Sequence, residues 1–238
     1  MVKYINLFLF AGMVVMNYLA NALPLNNRTT GELSDSFPNL FVPAGITFSI
    51  WGVIYLLLLI YCIVQFTGSN QEVIADIGGF FGISCILNAL WIVFWHYGKL
   101  PASLIVMLGL LISLIYINLY IKVLPFGFIK AAFGIYLGWI CIATIANVTA
   151  LLVMSGWNGF GISEEAWTIV MISVGTLLAS LTLFRLLNPF IGLSVIWAFT
   201  GIIIKRSEDY RSIVITASIA IAIVTIVTIY GFFRKSIS

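Results

Sequence analysis

Long apolar runs, each closed by a few polar or charged residues, follow one another along the whole chain. They lie near residues 4–23, 44–66, 77–97, 100–121, 131–154, 166–184, 189–204 and 213–233. A helix needs about 17 to 25 such residues to cross a bilayer core, and all but the short seventh run meet that length. Lipid admits only helices or closed barrels. Barrel strands would alternate polar and apolar residues, and these runs do not. The pattern predicts an all-α integral membrane protein of eight helices, the first of which reads as a span, with a secretory signal as the alternative.

Composition supports that reading. Of 238 residues, 62% are hydrophobic and 8% charged, with a mean hydropathy of +1.16. A water-soluble domain carries about 25% charged residues, so the surface of this chain must be solvated by lipid. A net charge of +3 with no basic cluster excludes nucleic acid as a partner. An even number of spans places both ends on one side, and Lys3, Arg234 and Lys235 favour that side as cytoplasmic under the positive-inside rule. Lys205, Arg206 and Arg211 fall on the other side and bring the Lys/Arg tally to 6 against 5, which leaves the orientation open. The expected location is a bacterial cytoplasmic membrane, as a multi-pass protein. Cys62, Cys85 and Cys141 fall inside spans, without disulfide or metal-site spacing, and read as packing residues.

The first five spans hold no deep Asp, Glu, Lys or Arg, although ion-coupled pumps generally need such groups. The single histidine, His96, closes the third span and reads as an interfacial residue, with a tetrapyrrole axial ligand as the sharper alternative. Nucleophile elbows, metalloprotease motifs and phosphate-binding glycine loops are missing from the sequence, so conventional acid–base catalysis is not expected. The spans do carry aromatic and amide residues at helical spacing. Phe48, Trp51 and Tyr55 share a face of the second span; Asn88, Trp91 and Trp95 repeat that spacing on the third. Tyr136, Trp139, Ala143 and Asn147 form a stripe on the fifth, and Asn17 with Asn21 on the first. Asparagine in hydrocarbon must find a partner, so these faces meet protein. Packing glue explains any one of them; three matching stripes point to a shared pocket for a flat, apolar ligand with a few polar edges.

In order, these residues resemble the TspO/MBR family of tryptophan-rich sensory proteins and translocator proteins, over about residues 17–152. Three blocks carry the likeness. Pro43-Ala44-Gly45-Ile46-Thr47-Phe48-Ser49-Ile50-Trp51-Gly52-Val53-Ile54-Tyr55 is similar to the family's entry to helix two. Leu87-Asn88-Ala89-Leu90-Trp91 with Phe94 and Trp95 is similar to its helix-three block. Tyr136-Leu137-Gly138-Trp139 with Ala143 and Asn147 is similar to its helix-five block. Two departures stand out: Ala44 in place of the second proline of a Pro-Pro pair, and Ile135 in place of the proline before the tyrosine. A sterol motif after the fifth span is missing, which counts against sterol recognition.

The resemblance implies a five-helix bundle over residues 1–154, with a ligand cavity open towards the first loop. Residues 155–238 then add a C-terminal extension of three membrane helices, and a homodimer is left open. The implied ligand is a porphyrin or other tetrapyrrole, such as protoporphyrin IX or haem, with no cofactor required. The other expected partner is membrane lipid. Expected ligand contacts are Phe48, Trp51, Asn88, Trp91, Phe94, Tyr136, Trp139 and Asn147, with Arg28 as the one cation at the pocket mouth. Binding would serve sensing or translocation. The alternatives are a secondary transporter or permease of a small hydrophobic solute, and a membrane enzyme that degrades a bound tetrapyrrole. The polar loop from Pro24 to Val42 is expected to act as a lid, Asn26-Asn27 and Thr30-Gly31 serving as turn formers and Leu40 and Phe41 tucking back onto the helix ends. Pro189 precedes Trp197 by eight positions, as Pro43 precedes Trp51, a trace of a repeat.

Overall fold

The computed structural model describes residues 1–22, 25–68 and 71–234. Leu23 and Pro24, which end the first run and open the first loop, and Lys235 lie outside the described residues. The described residues form nine α-helices and no strands: α1 (Val2–Ala22), α2 (Thr30–Asp35), α3 (Ile50–Val64), α4 (Gln71–His96), α5 (Leu100–Tyr120), α6 (Phe128–Met154), α7 (Glu164–Leu186), α8 (Phe190–Arg206) and α9 (Arg211–Phe233). Seven of the described helices are long and apolar enough to cross a bilayer, α3 with the 3-10 turn Gly45–Ser49 that leads into it. The predicted short seventh span is α8, with 17 residues, and it is not among the seven. At 1.5 Å per residue it is about 25 Å long, short of a hydrocarbon core about 30 Å thick. The unforeseen ninth helix is α2, six residues within the first loop.

Each long helix buries one stripe and leaves the other to lipid. On α3, Trp51, Ile54, Leu58, Tyr61 and Cys62 are buried, while Val53, Leu56, Leu59 and Ile63 are exposed. An exposed apolar face of this kind would be a liability in water, but in a bilayer it is the solvated surface. α6 runs through the middle and packs against α3, α5, α7 and α8. Small residues allow the close approaches, as elsewhere in membrane bundles. Gly138 lies so close to Ile191 and Ser194 that a β-carbon there would collide with them. A β-carbon at Gly134 would come within 2.7 Å of the Asn188 amide.

The alternation of helices sorts the connections to two ends. At the first, Lys3 Nζ donates to Gln71 Oε1 (3.2 Å) and Asn6 Nδ2 to Gln65 Oε1 (3.0 Å). The α5–α6 and α7–α8 turns and the end of α9 lie at the same end, where the basic residues Lys122, Lys130, Arg185 and Arg234 collect. At the opposite end, the segment between α1 and α3 folds back over the helix tips. Lys205 forms an ion pair with Asp35, and Arg206 donates to the carbonyls of Leu40 (3.1 Å) and Asn39 (2.9 Å).

Candidate functional site

Trp51 is the hub of an aromatic cluster built by α3, α4 and α6. Its ring stacks on Tyr55 (5.5 Å between centroids, 19° between planes) and lies tilted against Trp91 at 6.4 Å. It meets Tyr136 (5.9 Å, 72°) and Trp139 (6.2 Å, 83°) edge to face. Phe48 adds an edge contact to Trp139 at 6.0 Å, and Trp91 stacks on Trp95 at 5.7 Å. Edge-to-face and offset arrangements are those the ring quadrupole favours. The helical spacings read from the sequence thus converge on one place, because the three stripes face inward on adjacent helices.

A chain of amides runs behind the rings. Asn17 Nδ2 donates to Asn88 Oδ1 (2.8 Å), and Asn88 Nδ2 donates to Tyr136 Oη (2.9 Å). This ties α1, α4 and α6 together and fixes the Tyr136 ring. Asn147, one helical stripe away, donates to Ser103 Oγ at 2.8 Å. A small cavity of about 40 Å³ lies against Phe48, Trp51, Trp91, Trp95, Trp139 and Asn147, closed above by Thr30, Ser34 and Pro43. Four buried polar atoms of its lining have no hydrogen-bond partner: Trp91 Nε1, Trp95 Nε1, Asn147 Oδ1 and Thr30 Oγ1. Buried polar groups without partners are rare and costly, at about 1–3 kcal/mol each.

The cover is the segment from Leu25 to Val42. Asn26 and Asn27 adopt left-handed backbone conformations (φ 56° and 60°), which asparagine tolerates, and Asn26 Nδ2 donates to the His96 carbonyl at 3.1 Å. Thr29 and Glu32 form a reciprocal capping box that starts α2. Hydrogen bonding to the Thr29 backbone N–H and hydroxyl holds the Glu32 carboxyl below its ordinary range. Leu33, Phe37, Leu40 and Phe41 are buried, and Phe37 packs edge-on against Trp95 at 5.4 Å. The apolar tuck expected of Leu40 and Phe41 is therefore present.

Of the residues singled out in the sequence, Phe48, Trp51, Asn88, Trp91, Tyr136 and Trp139 form the cluster, and Asn147 lines its cavity. Phe94 is half-buried and does not line the cavity; one position on, Trp95 does. Arg28 is exposed and outside the lining. Lys205 and Arg206, from the far end of the sequence, hold the cover. His96 is buried, with Nδ1 2.8 Å from the Ile92 carbonyl. Sequence reasoning also missed a larger cleft of about 330 Å³ beyond the cover, between Leu40, Phe41, Trp157, Trp167 and Met171. Trp157 and Trp167 lie 5.0 Å apart there, and Trp167 Nε1 is anchored to the Gly159 carbonyl at 2.8 Å. The two tryptophans in and beside the α6–α7 connection were the available signal.

The fold and site define a class: a polytopic helical membrane protein with a covered aromatic cavity and no charged side chain in that cavity's lining. Within that class, the chain belongs to the TSPO-like protein family, whose model matches residues 3–230. The match runs well past residue 152 and takes in the C-terminal helices. No curated protein and no solved structure matches the chain.

Proposed function

We propose that the Trp51 cluster is a binding site for a flat, apolar ligand with polar edges, a tetrapyrrole such as protoporphyrin IX or haem, in the service of sensing or translocation. The observation that carries this reading is the set of four unpartnered polar atoms around one aromatic cavity. A purely structural cluster would gain from replacing them by apolar groups, whereas a ligand edge would satisfy them. Ligand pockets commonly enclose about 300–1,000 Å³, so the 40 Å³ cavity is the closed form of the site. Opening requires the α2 cover to lift from Trp95, and the rings then part to take the ligand between them. The cleft beside Trp157 and Trp167 lies on the far side of Leu40 and Phe41, where it gives the displaced cover room to move.

Soret-band and tryptophan-fluorescence titration of the detergent-purified protein with protoporphyrin IX tests the reading. The expected result is a saturable spectral shift with tryptophan quenching at micromolar ligand, lost in Trp51→Ala. An unchanged spectrum and unchanged fluorescence would overturn it.

A further inference from the structure

At the end of the bundle away from the aromatic cavity, Lys130 is 1% exposed. Its ammonium donates to the carbonyls of Lys122 (2.9 Å) and Leu187 (3.3 Å) and lies 5.2 Å from the Phe126 ring centroid. An ammonium has three N–H groups, and these bonds use two. No carboxylate accompanies it: the one salt bridge among the described residues is Lys205–Asp35, at the other end. A second cation, Arg234, lines the same notch, its guanidinium 4.5 Å from the Phe184 ring centroid. No acidic side chain lines it. Lys122 and Arg185 at this end add positive charge, and the acidic Glu72 and Asp76 are exposed on α4 and outside the notch. A buried cation without a counter-charge is costly, and two facing one notch call for an anion.

The surroundings identify which anion. Phe126, Phe128, Phe184, Tyr230 and Phe232 are exposed around the notch, as aromatic rings are at headgroup depth. From there, the outward faces of α7 and α9 continue as lipid-facing apolar surface through Leu177, Leu181, Ile219, Ile223 and Ile226. We propose that the notch between the start of α6 and the end of α9 binds the phosphate of an anionic phospholipid, with its acyl chains along α7 and α9. The notch encloses only about 10 Å³, so the headgroup sits at its mouth and directs an oxygen towards Lys130. A zwitterionic headgroup would bring its own ammonium towards two cations and is disfavoured. Basic pockets between transmembrane helices recognise anionic headgroups by this chemistry.

The test uses the delipidated full chain in neutral detergent, with dioleoyl-phosphatidylglycerol, dioleoyl-phosphatidylcholine or sodium phosphate added at equal concentration. Lipid retention is read by native mass spectrometry and stabilisation by thermal unfolding. Phosphatidylglycerol is expected to bind and raise the unfolding temperature, phosphatidylcholine at least about five-fold more weakly, and inorganic phosphate to do neither. Arg234→Gln is expected to weaken phosphatidylglycerol binding about five-fold without changing the lipid-free unfolding temperature. Arg185→Gln, at the same end but outside the notch, removes only a screened, distant charge and is expected to weaken binding by less than about two-fold. Lys130→Met removes the preference for phosphatidylglycerol over phosphatidylcholine; the Arg234 comparison stands whether or not that variant folds. Equal binding of the two lipids, equal losses in the two arginine variants, or equal stabilisation by free phosphate would each overturn the proposal.

Discussion

Two asparagine networks lie inside this bundle, and they differ in how completely they are satisfied. At the basic end, Asn188 Nδ2 donates to Asn118 Oδ1 (2.8 Å) and the Lys130 carbonyl (2.9 Å), while its Oδ1 accepts from the Phe190 N–H (3.3 Å). Asn118 Nδ2 in turn donates to the carbonyls of Leu114 and Phe133. Every polar side-chain atom of that pair has a partner, and the pair ties α5, α6 and the α7–α8 turn into one unit. At the covered end, Asn17, Asn88 and Tyr136 form a chain, but the neighbouring Asn147 Oδ1, Trp91 Nε1 and Trp95 Nε1 have none. A satisfied network specifies structure; the partly satisfied one lies beside the cavity, where the proposed ligand would complete it. The same residue type is therefore fully paired at one end and only partly paired at the other.

The largest effect is expected where the satisfied network is broken. Asn188→Ala leaves Asn118 Oδ1 and the Phe190 N–H without their partner and removes the side-chain bond to the Lys130 carbonyl, and Gly134→Ala pushes a methyl into the Asn188 amide. Each is expected to destabilise the protein by about 2–3 kcal/mol, measured by thermal or SDS-induced unfolding in micelles. Asn147→Leu removes an orphaned oxygen as well as one hydrogen bond and is expected to change stability by less than about 1 kcal/mol. Losses of equal size at the two ends would erase the distinction. Trp91→Phe sharpens it from the other side. Unfolding of the ligand-free protein is expected to shift by about 1 kcal/mol or less, whereas protoporphyrin affinity falls about ten-fold as the indole's larger stacking area and its N–H are lost.

The smallest effect concerns the cover. Because the folded carboxyl of Glu32 lies below its ordinary range, its contribution is complete above the unfolded value and is lost as pH falls through the lower folded value. Hydrogen exchange of the amides from Ser34 to Phe41 is expected to accelerate over that acidic window only. Glu32→Gln is expected to flatten the pH dependence; an unchanged profile in that variant would assign the acid sensitivity to another group.

Much of this was legible along the chain. The runs gave the long helices because each helix must satisfy its own backbone in lipid, and i, i+3, i+7 spacing gave the faces of Trp51, Trp91 and Trp139. The six-residue α2 was missed because so short a helix has no apolar period to show; its signal was the Thr29 and Glu32 capping pair. Phe94 was named as a ligand contact from the helix-three block of the resemblance, whereas the cavity is lined by Trp95, which continues the face of Asn88 and Trp91.

Arg28 was named because it lies in the cover segment itself, but the residues that hold that segment to the helices come from far along the chain. Lys205 lies 170 residues from Asp35, and Arg206 lies 166 from Leu40. The pairing of Pro43–Trp51 with Pro189–Trp197 suggested a repeat; in the fold the two segments meet, since Trp197 Nε1 donates to the Thr47 carbonyl at 2.8 Å and Ala44 N–H to the Gly201 carbonyl at 2.9 Å.

By itself, the sequence determined that this chain is built for lipid, where its long helices lie, and which face of α3, α4 and α6 carries the rings and amides. These follow from local hydropathy and the fixed geometry of one helix. Tertiary structure alone decided which amides are fully paired, how tightly the rings close on one another, and that α8 holds the cover of the cavity. Those depend on distances between helices far apart in sequence, set by where small residues such as Gly134, Gly138 and Gly201 let backbones approach.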